Sequence, residues 1–155
     1  MNAPMTAQAD RVLTLTRVFE APRELVWKMW TDPGHAQSWW GPRHHPSTYV
    51  AIDARVGGKW RSRLTGVEDG RELWHGGVFR EVVKPERLVF TYAWDADGGG
   101  YESLVTIILT EEGGKTRMTF TQTPFVSVEQ RDGHGEGWSS AFDRLEDALL
   151  KGSVQ

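Results

Sequence analysis

Cysteine is absent from the 155 residues, which excludes disulfides, thiolate metal sites and cysteine nucleophiles. That absence fits a cytoplasmic protein. A surplus of one charge is lacking too: 18 Lys and Arg stand against 21 Asp and Glu, for a formal net charge of −3. Such a balance makes no electrostatic case for DNA, RNA or an anionic membrane surface, and Arg61 with Arg63 is the nearest thing to a basic patch. No apolar run approaches membrane-spanning length. The first ten residues lack the basic and apolar segments of a secretory signal, and they read as a short disordered leader (1–10) before one domain (11–152).

Motifs of catalysis are also missing. There is no Gly-x-Ser-x-Gly elbow, and Ser139-Ser140 begins a helix with no evident base in sequence. The Gly98–Gly100 run is a turn, since no Gly-Lys-Ser/Thr follows it. Glu111 and Glu112 flank a hairpin and read as solvated. The five histidines include no His-Glu-x-x-His pair, and adjacent His44 and His45 are expected in a solvated loop. We therefore expect no metal, no cofactor and no assigned catalytic residue.

What the chain does have is tryptophan, eight in all, scattered from Trp27 to Trp138. A large ring with a polar N–H often lines an interior that is not wholly dry. So many in a small domain point to an unusually aromatic core or to a core that encloses a ligand cavity.

The hydrophobic period places these rings. Arg11 to Phe19 alternates as a first strand. Pro22 opens a short helix with Leu25, Val26, Met29 and Trp30 on one face, and Asp32-Pro33 opens a second with Ala36, Trp39 and Trp40. Six further strands follow at Ser47–Ala54, Lys59–Thr65, Glu72–Val83, Arg87–Trp94, Tyr101–Thr110 and Thr116–Thr123, joined mostly by tight turns. Strand parity is ambiguous over Gly76 to Val83, where both faces are partly apolar. The C-terminal helix is strong from Trp138, with Ala141, Phe142, Leu145, Ala148 and Leu149 in one stripe. Ser127 with Gln130 resembles a capping box, but Gly133, Gly135 and Gly137 weaken a helix through that stretch. Asp147 and Lys151 form an i, i+4 pair, and Gly152 is the expected stop.

That order predicts an α+β fold. A curved seven-stranded antiparallel sheet wraps around the long C-terminal helix, and two short helices follow the first strand. A sheet gripping a helix in this way can leave a cavity between them.

Particular stretches resemble a known family. Arg17-Val-Phe-Glu-Ala-Pro-Arg-Glu-Leu-Val-Trp27, Thr31-Asp-Pro33 and Trp39-Trp40-Gly41-Pro42 are similar to the opening of the activator of heat-shock protein 90 ATPase homologue family. Val56-Gly57-Gly58-Lys59-Trp60, Gly76-Gly77-Val78-Phe79-Arg80-Glu81, Pro85 to Thr91 and Gly137-Trp138 extend the likeness over roughly Thr14 to Leu150. The resemblance implies the helix-grip fold of the START-related superfamily, which holds lipid and hormone carriers, polyketide cyclases and domains that act on protein partners. The eukaryotic co-chaperone of the family also carries a separate N-terminal chaperone-binding domain, for which this chain is expected to have no room. The motif residues themselves read as structural.

Trp27, Trp30, Trp39 and Trp40 are expected in the core. The expected cavity wall comprises Trp60, Trp74, Phe90, Tyr92, Trp94, Met118, Trp138 and Phe142, with Gln122 and His134 orienting a ligand. A buried Gln122 needs a partner, from the protein or from a ligand. The leading expectation is a binder of a small hydrophobic or aromatic molecule. The alternatives are a chaperone- or stress-associated module with a protein partner, and a cyclase- or hydrolase-like enzyme using His134 or a carboxylate as acid or base.

Overall fold

Seven period-two segments become the seven strands of one sheet in the computed structural model, where the structure describes residues 10–98 and 101–154, with side chains to Lys151. The strands are β1 (Leu13–Phe19), β2 (Ser47–Ile52), β3 (Lys59–Thr65), β4 (Glu72–Val83), β5 (Arg87–Trp94), β6 (Ser103–Glu112) and β7 (Lys115–Thr123). The helices are α1 (Arg23–Thr31), α2 (Pro33–Gln37) and α3 (Val128–Val154). Strand order is β1-β7-β6-β5-β4-β3-β2, with every pairing antiparallel. The chain thus crosses the whole sheet once, through α1 and α2, and then meanders back strand by strand until β7 pairs with β1. The helix-grip fold implied by the resemblance is the fold found.

The local chemistry explains the breaks. Pro22 sits one position earlier than expected, as the extended N-cap residue of α1. Asp32 caps α2, its carboxylate accepting from the His35 N–H at 3.1 Å, and Pro33 takes the first turn, where no N–H is needed. In β4 a bulge between Phe79 and Glu81 shifts the register. Leu73, His75 and Phe79 face inward before it and Val82 packs inward after it, which resolves the parity that alternation alone leaves ambiguous.

The long helix differs from expectation at both ends. It begins at Val128 and passes through Gly133, Gly135 and Gly137 without a break. The Ser127 hydroxyl accepts from the Gln130 N–H at 3.1 Å, and the Gln130 side chain accepts from the Val126 N–H at 2.9 Å. This reciprocal cap, together with packing on the sheet, outweighs the glycine penalty of about 1 kcal/mol per residue. The helix also runs past Gly152 to Val154. Asp147 bonds Arg43 at 3.1 Å, and that contact takes the place of the expected Lys151 pair. Of the expected leader, residues 1–9 lie outside the described residues. The Asp10 carbonyl accepts from Arg131 of α3 at 3.2 Å.

Trp138, Ala141, Phe142, Leu145 and Leu149 are buried against the inner face of the sheet, where they meet Phe120, Met118, Ile107 and Phe90. Trp27, Trp30, Trp39 and Trp40 join the same core, as their helical spacing predicts. The loop after α2 is clamped to α3. One Arg144 nitrogen donates to the carbonyls of Trp39, Trp40 and Gly41 at 3.3, 3.0 and 2.8 Å, and the other to Ser38 at 3.3 Å. Arg144, on the polar side of the apolar stripe, is the tie between the helix and this loop. The Arg43 N–H adds a bond to the Ser140 hydroxyl at 2.9 Å.

Candidate binding cavity

The sheet and α3 part company at the end nearest the α2–β2 loop, and a cavity of about 180 Å³ opens there. Its floor is aromatic, built from Trp40, Tyr92, Trp94 and Trp138, with Leu64 and Leu73 from β3 and β4 alongside. One rim is α3, where Gly133, Gly137 and Ala141 recur at helical spacing. A methyl group added at Gly133 or Gly137 would meet nothing within 4 Å. The other rim is Gly41, Pro42 and His45. Gly41 has φ +89°, and a Cβ there would lie 2.5 Å from the His45 carbonyl, so only glycine makes this corner. Outside lies a broader groove of about 670 Å³ that shares Pro42, His45, Gly133 and Gly137 with the cavity and is edged by Glu68, Asp69 and Glu136.

Polar groups in the cavity wall are few and connected. His75, 2 % exposed, accepts from the Trp40 indole N–H at Nε2 (3.2 Å) and meets the Tyr92 hydroxyl at Nδ1 (2.7 Å). Its ring stacks on Trp94 at 4.5 Å. His134 accepts from the Trp94 indole N–H at Nε2, also at 3.2 Å. Burial pushes His75 down to about 3 and His134 down to about 4, and it holds the Tyr92 phenol well above its ordinary value. Both imidazoles are therefore neutral at pH 7. Among the described residues no cluster of His, Asp and Glu is arranged to hold a metal ion.

A family model described as "Activator of Hsp90 ATPase homolog 1-like protein" matches residues 20–150. The chain belongs to this family. A crystal structure from Mycobacterium smegmatis is similar at 30% identity and TM-score 0.79, covering 94% of each chain. A family member from Silicibacter pomeroyi is 28% identical with TM-score 0.80, over 90% of this chain and 97% of that one. A solution structure from Arthrobacter aurescens is 27% identical with TM-score 0.81, over 92% of this chain and 88% of that one. A search of curated proteins gives no match.

In this member of the activator-homologue family the Trp39-Trp40-Gly41-Pro42 segment spans core and cavity wall. Trp39 is core, donating its N–H to the Met29 carbonyl at 2.9 Å, but the next three residues line the cavity. Of the expected wall residues, Tyr92, Trp94, His134 and Trp138 lie on it. His134 faces the cavity because the glycine-rich stretch is helical. Trp60 and Phe90 lie deeper in the core and flank a void of only about 10 Å³. The Trp60 N–H reaches the Thr91 carbonyl at 2.9 Å across Gly77, where a Cβ would come within 2.7 Å of the indole nitrogen. Met118 and Phe142 are sealed in the core and are absent from the cavity wall.

Gln122 and Trp74 are corrections. The Gln122 amide donates to the Ser103 hydroxyl at 2.9 Å and accepts from the Trp138 N–H at 2.8 Å. Its partners are the protein's own, and it fixes Trp138 from behind. Trp74 lies on the opposite face of β4 from His75. The guanidinium groups of Arg61 and Arg63 cover its ring at 5.2 and 5.5 Å, and Tyr49 packs at 5.8 Å. Cation–π contact makes the outer face hospitable to a large ring, so size alone misplaces Trp74.

Sequence reasoning passed over His75 and left Trp40 in the core alone. The signal for His75 was present: it shares strand parity with Leu73 and Phe79. His45, expected to be solvated, is half-buried on the cavity rim.

Proposed function

We propose that this chain binds a small, mainly apolar aromatic molecule in the cavity between α3 and the sheet. The observation that carries the reading is a ring-lined space of about 180 Å³ whose helix wall is kept open by glycine. A comparable apolar cavity of about 150 Å³ in an engineered protein binds benzene, so one ring with a substituent is the right scale. Removing such a ligand's surface from water contributes a few kcal/mol at about 25 cal/mol per Å². We place this activity in the cytoplasm.

The test is Trp fluorescence together with thermal shift against a panel of monocyclic aromatics. Quenching with a raised melting temperature for one chemical class is expected. No response across the whole panel would sink the reading.

The enzyme alternative gains no support from the geometry. The basic nitrogens of His75 and His134 already accept indole N–H groups, so neither of these two rings is free to take a proton from a substrate.

The family description favours a second reading, a chaperone- or stress-associated module. The outward Tyr49–Trp74 pair between Arg61 and Arg63 is the surface that suits a protein partner. A pull-down that returns a stoichiometric partner, lost on Trp74→Ala, supports it.

A further inference from the structure

Two indole groups decide which protons the cavity offers. Indole nitrogen only donates, so the Trp40 bond makes His75 Nε2 an acceptor and leaves the proton of the neutral ring on Nδ1. Nδ1 then donates to the Tyr92 hydroxyl oxygen at 2.7 Å. That bond uses a lone pair of the phenol and leaves its hydrogen uncommitted. Among the described residues no acceptor takes it, although Tyr92 is only 5 % exposed and lines the cavity.

The logic repeats at His134. Trp94 donates to Nε2, so the proton sits on Nδ1, which finds no acceptor among the described residues. The Tyr92 and His134 rings are 5.6 Å apart. A largely apolar space thus has two neutral donors, on neighbouring rings, in the residues that line it, while the acceptor nitrogens of His75 and His134 are both occupied. A buried donor left dry costs binding energy, so a guest that satisfies it is favoured over one that does not.

We propose that the cavity selects small aromatic molecules that carry a neutral hydrogen-bond acceptor, above all an aryl carbonyl, held by the Tyr92 hydroxyl and the His134 Nδ1–H. This rests on the binding reading above and narrows its ligand class. Neutral is the operative word. No Lys or Arg lines the cavity, the rim His45 is its one further basic group, and Glu68, Asp69 and Glu136 edge its approach, so the surroundings disfavour a carboxylate.

The test uses three ligands of one shape: acetophenone, α-methylstyrene (a CH₂ in place of the carbonyl oxygen) and benzoate, each titrated into the full chain by fluorescence and calorimetry. Acetophenone is expected to bind about tenfold tighter than α-methylstyrene, the scale of one or two neutral hydrogen bonds. Benzoate is expected to bind more weakly than acetophenone. The infrared carbonyl stretch of bound acetophenone should fall, and it should recover part of the way in Tyr92→Phe, which leaves the His134 donor.

That variant strands His75 Nδ1–H and lowers stability, so its readout is the ratio of the two affinities on one protein, expected to shrink to within about threefold. Equal wild-type affinities for acetophenone and α-methylstyrene overturn the acceptor assignment and leave the apolar site standing. Tighter binding of benzoate overturns the neutral class. No binding by any of the three overturns the binding reading itself.

Discussion

At the scale of single residues, the histidines set the response to acid. His75 and His134 stay neutral in the fold down to about 3 and about 4, against an ordinary value of 6.5. The unfolded chain therefore takes up protons first as the pH drops through 6.5. Stability is full above that point and declines toward pH 4. Each ring gives a slope on the order of 1 kcal/mol per pH unit, His134 over the narrower window because its folded value is about 4. Urea melts between pH 7.5 and 5 measure this, and a flat profile would mean that neither ring is held neutral.

Glycine gives the opposite kind of lever. Gly133→Ala meets nothing within 4 Å and should stabilise by about 0.5–1 kcal/mol. Gly135→Ala approaches Leu13 Cδ1 at 3.2 Å and should gain little. Thermal melts of the two variants separate these outcomes. Trp138→Ala is a poor probe of binding, because that ring is buried against Phe120 and Phe142 and bonded to Gln122, so truncation costs about 3–5 kcal/mol of folding energy. The residue scale is where the sequence was hardest to read. Trp74 and His75 are adjacent, and only the inward parity shared by Leu73, His75 and Phe79 tells which one meets the cavity.

At the scale of elements, the α2–β2 loop and α3 behave as one unit through Arg144. Arg144→Ala takes the guanidinium from the carbonyls of Ser38 through Gly41, of which Trp40 alone keeps a second donor, the Ser47 N–H. It should cost about 1–3 kcal/mol and speed amide exchange over residues 38–47, read by hydrogen exchange with urea melts. Arg144→Lys should rescue only part, since one ammonium cannot span the carbonyls that a guanidinium fork reaches. Strand positions were legible almost to the residue: Lys59–Thr65, Glu72–Val83 and Arg87–Trp94 stand as alternation and turn chemistry placed them. The first two turns of α3 were not. Glycine propensity argued against a helix there, and the counterweight came from the Ser127–Gln130 cap and from contacts with a sheet more than a hundred residues of chain in the making.

At the scale of the molecule, closure of the sheet depends on the most distant pairing it contains, Leu13 opposite Gln122. A fold dominated by such non-local contacts is expected to refold in roughly milliseconds to seconds. Stopped-flow refolding on a microsecond scale would contradict that. The architecture was readable because every element had an apolar face and only one arrangement covered them all. The cavity was less so, because its volume comes from what α3 omits. Gly133, Gly137 and Ala141 stand about one helical turn apart along the opening, each step near 6 Å at 1.5 Å per residue. The helix is therefore a graduated ruler. A side chain restored at one mark shortens the slot there and leaves the Tyr92 hydroxyl on the facing sheet in place, so the longest guest admitted is written in three positions of a single helix.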